Sequence, residues 1–191
     1  QQRADYIASF MDQDRAADGA QIGFPPNRSL EIMYYNADWL AELGEREPPR
    51  TWPEFAHLCR LARDRPFSRS ESKERSLGFI YDWDASRLAT MVFSRGGDLV
   101  KEGRYQFDSP QARQALELMQ ALIKEGAAEL MSGPYGDQGE FVVGSSLFMI
   151  RSTSGLPFVR SGIEEGGLSF DWQVAPPPYV GDKPAMNVYG A

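Results

Sequence analysis

The stretch EIMYYNADWLAELGEREPPRTWPEFAHLCRLARD, residues 31–64, decides the fold class. It opens with the apolar and aromatic run 31–35, which is short and predicts a β-strand. Asn36 follows at once, and its side chain is suited to cap a short helix over 37–43. The stretch therefore predicts a strand that leads directly into a helix.

A second helix is predicted immediately afterwards. Thr51 and Glu54 have the spacing of a capping box, and Pro53 between them is tolerated because the first turn of a helix needs no N–H donor there. Apolar residues recur along one side, and the helix is expected to end near Asp64, before a proline. Its pattern is that of an amphipathic helix packed on a sheet.

The same alternation continues along the chain. Three further stretches predict strands, since each is short, apolar or aromatic, and bounded by turn residues: 77–81, 146–151 and 170–175. Further helices are predicted after Pro110 up to the stop at Gly126, over 138–143, and near Leu156. The polar segment 65–76 predicts an exposed loop. Alternating strands and helices indicate an α/β layered domain with some parallel pairing.

Composition excludes several classes of function. The chain has 191 residues, 42% of them hydrophobic, and a formal net charge of −7, which argues against a nucleic-acid partner and against docking on anionic lipid. The lone cysteine, Cys59, excludes an intrachain disulfide, and the lone histidine, His57, removes most histidine-based metal sites. We expect no metal and no cofactor. The first residues lack a signal-peptide pattern, so we expect a mature product or an excised piece.

Catalytic templates are absent from the sequence, including the nucleophile elbow, the phosphate-binding loop and the zinc-binding His-Glu-x-x-His pattern. Asp82 and Asp84 flank Trp83, and side chains two apart on a strand lie about 6–7 Å apart, a spacing that a glycosidase pair permits. Two aspartates at a strand end are also common in turns. We therefore expect no catalytic residue, with this pair as the alternative.

Binding features occur where predicted strands begin or end. The strand ending near Arg151 runs into small hydroxylic residues, and Ser154 can cap the next helix, leaving the Gly155 N–H free for an anion or a sugar hydroxyl. Trp83, after the strand 77–81, suits either a stacking platform or the core. The alternative for the turn at Ser154 is an ordinary capped helix.

The order of segments resembles the extracellular solute-binding proteins, family 1, of ABC importers, with the glycerol-3-phosphate and sugar binders nearest in character. The resemblance spans roughly 18–190. It rests on loose motifs in a specific order: Asp18-Gly19 leading to Pro25 or Pro26, the Tyr-Tyr-Asn stretch Tyr34 to Gly44, Pro49 to Glu54, Trp83 ahead of Gly96-Gly97, Phe-Asp-Ser-Pro before a long helix, Gly144 to Gly155, and Pro176 to Gly190.

The resemblance implies one lobe of a type II periplasmic-binding-protein-like fold, with a mixed sheet flanked by helices. It implies that 1–24 is a stub from the first lobe and hinge approach, and that 25–190 is the second lobe. The implied function is to capture a small polar solute, such as a sugar, polyol or glycerol phosphate, for ABC permease subunits. The implied location is periplasmic or extracellular, with a soluble or lipid-anchored parent protein. A surface left by the missing lobe would favour self-association.

The resemblance also assigns ligand contacts residue by residue. The implied contacts are Asn27, Arg28 and Ser29 in a hinge-side turn, and Trp83 as a stacking residue, with Ser86 in place of a second tryptophan. They also include Ser154 and Gly155 in a hydrogen-bond-donating turn, and the hinge glycine Gly190. Arg28 stands where a small hydroxylic residue is common, and in the site it would favour an anionic ligand. The alternative is that Arg28 faces solvent, so a neutral and an anionic ligand both stay open.

Two other classes of function stay open at this stage. One is a carbohydrate-active enzyme that uses Asp82, Asp84 or Glu140. The other is a signalling or scaffold domain built on the same lobe, with a protein partner and no small-molecule pocket.

Overall fold

A computed structural model describes residues 5–25, 27–70, 74–82, 84–166, 168–185 and 187–189. The chain divides into two compact units, one within 1–30 and 188–191 and the other within 31–187. The described elements, in chain order, are α1 (Ala8–Asp12), β1 (Ser29–Asn36), α2 (Ala37–Glu42), α3 (Trp52–Asp64), β2 (Leu77–Tyr81), α4 (Ala85–Phe93), β3 (Val100–Lys101), β4 (Arg104–Tyr105), α5 (Pro110–Lys124), β5 (Ala128–Leu130), α6 (Gly136–Val142), β6 (Ser146–Ser152), a 3-10 turn (Thr153–Gly155), α7 (Leu156–Gly166), β7 (Trp172–Ala175) and β8 (Val188–Tyr189).

The smaller unit contains α1 and the strand β8. An isolated antiparallel bridge joins Arg15 to Gln21, and the first residues of β1, Ser29 and Leu30, pair antiparallel with β8. These contacts hold the unit together with little regular structure.

The larger unit is built on a mixed sheet, with the strand order β5-β2-β6-β1-β7. β2 runs parallel to β5 and β6, whereas β1 runs antiparallel to β6 and β7. The predicted α/β class, with a mixed sheet flanked by helices, is confirmed. Within the described ranges, no helix combines the length and the apolar character needed to cross a bilayer.

Local capping explains where the first helices begin. The Asn36 side chain accepts a hydrogen bond from the Trp39 backbone N–H at 2.9 Å and starts α2. At α3, Thr51 and Glu54 form the predicted reciprocal capping box, and the helix ends at Asp64 as expected. The strand predicted at 77–81 has those bounds in the structure.

One prediction about the larger unit needs correction, and some of its elements were not predicted. The segment 65–76 was expected to be exposed, but Phe67 is fully buried and stacks on Trp39 with ring centroids 5.9 Å apart. Residues 71–73 of that segment lie outside the described residues. The helix α4 and the strands β3, β4 and β5 were not predicted.

The core forms where α3 packs on β2 and β6. The Phe55 ring stacks on Phe148, with centroids 5.0 Å apart, and meets the edge of Phe79 at 5.4 Å. Gly78 lets the helix approach the sheet, since a Cβ built at this position would lie 2.2 Å from the Cys59 Cα. This close approach fixes the distance between the helix layer and the sheet.

The substitution Gly78→Ala tests that contact. We expect it to lower the free energy of unfolding by about 3 kcal/mol, the upper end of overpacking costs, because the obstructing atoms belong to backbone. Urea denaturation measures the change. Gly139→Ala is the matched control, since nothing lies within 4 Å of its added Cβ and alanine is the better helix former. Equal stability losses in the two variants would contradict the close-packing account.

Candidate functional site

Polar side chains gather at one edge of the larger unit's sheet, where β2 and β6 end. Because β1 is antiparallel to β6, Glu31 near its start pairs in register with Ser152 at the end of β6. Asp82 directly follows β2. We call this edge of the sheet, which carries Glu31, Asp82 and Ser152, the carboxyl edge. In open α/β sheets, such an edge is where ligands bind.

Glu31 is the buried centre of the carboxyl edge, with no exposed surface. Its carboxylate pairs with the Arg87 guanidinium and accepts a hydrogen bond from the Thr90 hydroxyl. The Ser86 hydroxyl donates to it as well, at 2.6 Å between the oxygens. Arg87 and Thr90 both belong to α4, so this carboxylate ties the helix to β1.

The charges continue outward from this pair as a chain of alternating sign. Arg87 lies 3.8 Å from Asp82, and Arg151 lies 3.7 Å from the same Asp82 oxygen. Arg151 also donates a hydrogen bond to the Asp137 carboxylate at 3.0 Å. We call Glu31, Arg87, Asp82, Arg151 and Asp137 the ion network.

The ion network carries an excess of negative charge. It holds three carboxylates and two guanidinium groups, so one negative charge is left over when all are ionised. Burial raises the pKa of the Asp137 carboxyl despite the neighbouring Arg151. Burial also raises the pKa of Asp82, and the nearby Asp137 charge adds to that effect. The network thus disfavours further negative charge.

The turn after β6 differs from its prediction in one respect. The helical segment begins with the 3-10 turn Thr153–Gly155, and the Ser152 hydroxyl accepts from the Ser154 N–H at 3.1 Å. The capping role predicted for Ser154 therefore belongs to Ser152. Ser154 is exposed, with its hydroxyl oxygen 2.8 Å from that of Ser152. A Cβ at Gly155 would lie 3.3 Å from the Tyr34 hydroxyl, so glycine leaves room for that side chain.

An exposed aromatic side chain adjoins the ion network. The Arg151 guanidinium carbon lies 4.9 Å from the centre of the Tyr135 ring, and Tyr135 is 68% exposed. Tyr135 has a left-handed backbone, with φ at 61°, immediately before α6. A ring held over a cation and open to solvent can stack on the apolar face of a ligand.

The carboxylates of the enzyme alternative all have partners. Asp84 caps α4, accepting from the Ser86 N–H at 2.9 Å, and Asp82 lies between two arginines. Glu140 lies 3.0 Å from the Arg75 guanidinium. Ser86, predicted as a ligand contact, hydrogen-bonds within the edge. Trp83, the predicted stacking residue, lies outside the described residues.

The predicted hinge-side turn belongs to the smaller unit. Arg28 forms an ion pair with Asp14 at 2.6 Å, Asn27 is exposed, and Ser29 is buried at the start of β1. Gly190 lies outside the described residues. The positive charge of Arg28, which would have favoured an anionic ligand, is therefore neutralised within the protein by Asp14.

Sequence reasoning missed most of the ion network. Glu31 offered one signal, because a lone acid inside an apolar strand must be buried with a partner. Its partner Arg87 gave none, since α4 itself was not predicted. Arg151 was noted only as the start of a hydroxylic turn, and Asp137 lay beside a predicted helix without any motif.

No protein-family model matches the sequence. A probable ABC transporter-binding protein of Deinococcus radiodurans is 25% identical over 93% of this chain and 44% of its own length. The sn-glycerol-3-phosphate-binding periplasmic protein UgpB of Brucella abortus is 25% identical over 86% of this chain and 39% of its own length. The chain therefore spans less than half the length of these curated relatives.

Solved structures agree with the sequence matches. UgpB from Mycobacterium tuberculosis, in complex with glycerophosphocholine, has a TM-score of 0.77 at 21% identity, covering 99% of this chain and 46% of that one. The GacH receptor of Streptomyces glaucescens, solved unliganded and with acarbose, has a TM-score of 0.76 at 19% identity, covering 100% of this chain and 47% of that one. The chain has the fold of the ABC-importer solute-binding proteins.

The resemblance read from the sequence is thereby confirmed, and so is the fold class. The relatives are named as binding proteins and not as enzymes, so the carbohydrate-active alternative is not favoured. Within this solute-binding fold, the carboxyl edge is the candidate site of the larger unit.

A double-mutant cycle tests whether Glu31 and Arg87 depend on each other. Arg87→Met alone is expected to lower the free energy of unfolding by about 3–5 kcal/mol, because it leaves a buried carboxylate without its counterion. Adding Glu31→Leu should restore most of that loss, since the carboxylate that lost its counterion is then removed as well. Chemical denaturation of the four proteins gives the coupling energy. Additive losses would show that the pair is not coupled.

The pH dependence of stability tests the burial of Asp137. Its folded pKa is raised above the ordinary 3.8, so the folded state binds more protons than the unfolded state between these two pKa values. The free energy of unfolding should therefore fall as pH rises through that window. Asp137→Asn should remove this contribution.

The measurement is the difference in unfolding free energy between the native protein and Asp137→Asn, followed from about pH 3 to 7. A difference that shifts in favour of the native protein as pH rises would mean that its pairing with Arg151 outweighs burial.

Proposed function

We propose that this chain supplies one lobe of an ABC-importer solute-binding protein and that the carboxyl edge is its share of the ligand site. The observation that supports the proposal is that charged, hydroxylic and aromatic side chains lie together at the edge where open α/β sheets bind ligands. Asp82, Arg151, Ser154 and Tyr135 there offer acceptors, donors and a stacking face.

The ligand class that this edge suits best is a neutral polyhydroxylated solute, a sugar or a polyol. Sugar hydroxyls can donate to Asp82, whose nearest guanidinium nitrogens lie beyond hydrogen-bond distance at 3.7 and 3.8 Å. The excess negative charge of the ion network opposes a phosphate. Arg28, which suggested an anion, is paired with Asp14. Acarbose and ribitol are bound by structural neighbours of this fold.

Transport would need no chemistry in this lobe. The solute would contact both lobes and favour a closed state, which the permease subunits of the importer would recognise. In this proposal 1–24 is the approach from the other lobe, 25–190 is the lobe itself, and the protein works in the periplasm or outside the cell. Asn27, Ser29, Trp83 and Gly190 remain proposed contacts.

A thermal-shift panel on the complete gene product tests the proposal, with neutral sugars, polyols, glycerol 3-phosphate and acidic sugars as the probes. A neutral sugar or polyol at a hundredfold excess over its Kd should stabilise the protein by about 2.7 kcal/mol. A response to the phosphate or acidic sugars alone would contradict the neutral-ligand class. Silence across the whole panel would contradict solute binding of this kind.

Substitutions at the exposed tyrosines locate the site. Tyr135→Asn keeps a residue that tolerates the left-handed backbone and should weaken binding of a responding sugar about tenfold, because the stacking face is lost. Tyr105→Asn is the matched control, since Tyr105 is 75% exposed on the β3–β4 hairpin. Isothermal titration measures both. Equal affinities in the two variants would remove Tyr135 from the site.

A further inference from the structure

A groove lies away from the ion network, at the start of α3 and the end of α4. It has a volume of about 360 Å³ and is mainly apolar, and its lining includes Trp52, Pro53, Arg95, Gln114, Leu118 and Val180. None of these residues belongs to the carboxyl edge, so the proposed solute site does not account for the groove.

Arg95 is the unusual member of the lining, because it is a buried cation that forms no ion pair with any described residue. It is only 8% exposed. Its guanidinium donates to the Met91 carbonyl at 2.8 Å and lies 4.1 Å from the Trp52 ring centre. By contrast, Arg87, a buried arginine within α4, has the carboxylate of Glu31 against it.

Burial without a counterion is unfavourable for a guanidinium. It lowers the pKa of Arg95 to about 10, opposed only by the nearby Tyr81. A carbonyl and an aromatic face offset part of the lost hydration but leave the positive charge unneutralised. An anion that reached this position would gain a charge-assisted hydrogen bond in a dry setting.

The walls of the groove are fixed before any ligand arrives. The Trp52 indole N–H donates to the Ser94 hydroxyl at 3.2 Å. The Val180 N–H donates to the Ser94 carbonyl, and the Tyr179 N–H to the Arg50 carbonyl, both at 2.9 Å. A preformed apolar cleft with one charged group and a volume above about 300 Å³ has the character of a small-molecule site.

We propose that this groove binds a small carboxylic acid with an apolar body. The carboxylate would pair with Arg95, and the body would pack against Trp52, Leu118 and Val180. The inference does not depend on the proposed solute function, because it uses different residues and a different ligand.

Titration calorimetry of the 191-residue chain with 4-phenylbutanoate tests the inference, with 4-phenylbutan-1-ol as the uncharged probe. The acid should bind at least about tenfold more tightly than the alcohol, and its affinity should fall as salt is added. Equal affinities, or no binding of the acid at millimolar concentration, would overturn the proposal.

Gln114→Glu is the decisive variant, because it places a negative charge in the lining from an exposed position on α5. It should weaken binding of the acid at least about fivefold and leave the alcohol unchanged. Gln120→Glu, exposed on the same helix, adds the same net charge outside the lining and should change neither. Equal effects of the two variants would overturn the proposal.

Discussion

The carboxylate of Glu31 lies fully inside the protein, and the carboxyl edge is arranged around the need to neutralise it. A buried carboxylate is tolerated only with a counterion and hydrogen-bond donors, and α4 supplies Arg87, Ser86 and Thr90 for that purpose. With Arg87 in this position, Asp82 lies between Arg87 and Arg151, and Arg151 forms an ion pair with Asp137. One buried charge thus organises β1, β2, β6 and α4 around a common point.

Much of the fold could be predicted because its signals are local. Asn36 and the Thr51–Glu54 box determine where α2 and α3 begin through contacts within four residues, and the strand at 77–81 needs only its own apolar run. Elements that depend on tertiary context were missed. Phe67 lies in a polar segment, yet it is buried because Trp39 offers its ring from another element. No property of the segment itself reveals that partner.

Polar residues at this sheet edge could be predicted, but the pairings among them could not. The hydroxylic turn after β6 and the aspartates after β2 were expected at a sheet edge, and the structure has them there. The ion network was not expected, since Glu31 and Arg87 lie far apart in sequence and meet only after α4 has packed. Arg28 was assigned a ligand, whereas Asp14, fourteen residues away, neutralises it. Pairings between distant charges depend on the fold and cannot be read from spacing.

In the proposed function, the carboxyl edge of this solute-binding fold contacts the solute. Hydrogen–deuterium exchange of the complete gene product, with and without a bound sugar or polyol, tests it most directly. We expect protection in the larger unit to concentrate at Tyr135 and the start of α6, at Ser152–Gly155, and at the first turn of α4. Protection that left these amides unchanged and appeared instead at α3 and α5 would contradict it.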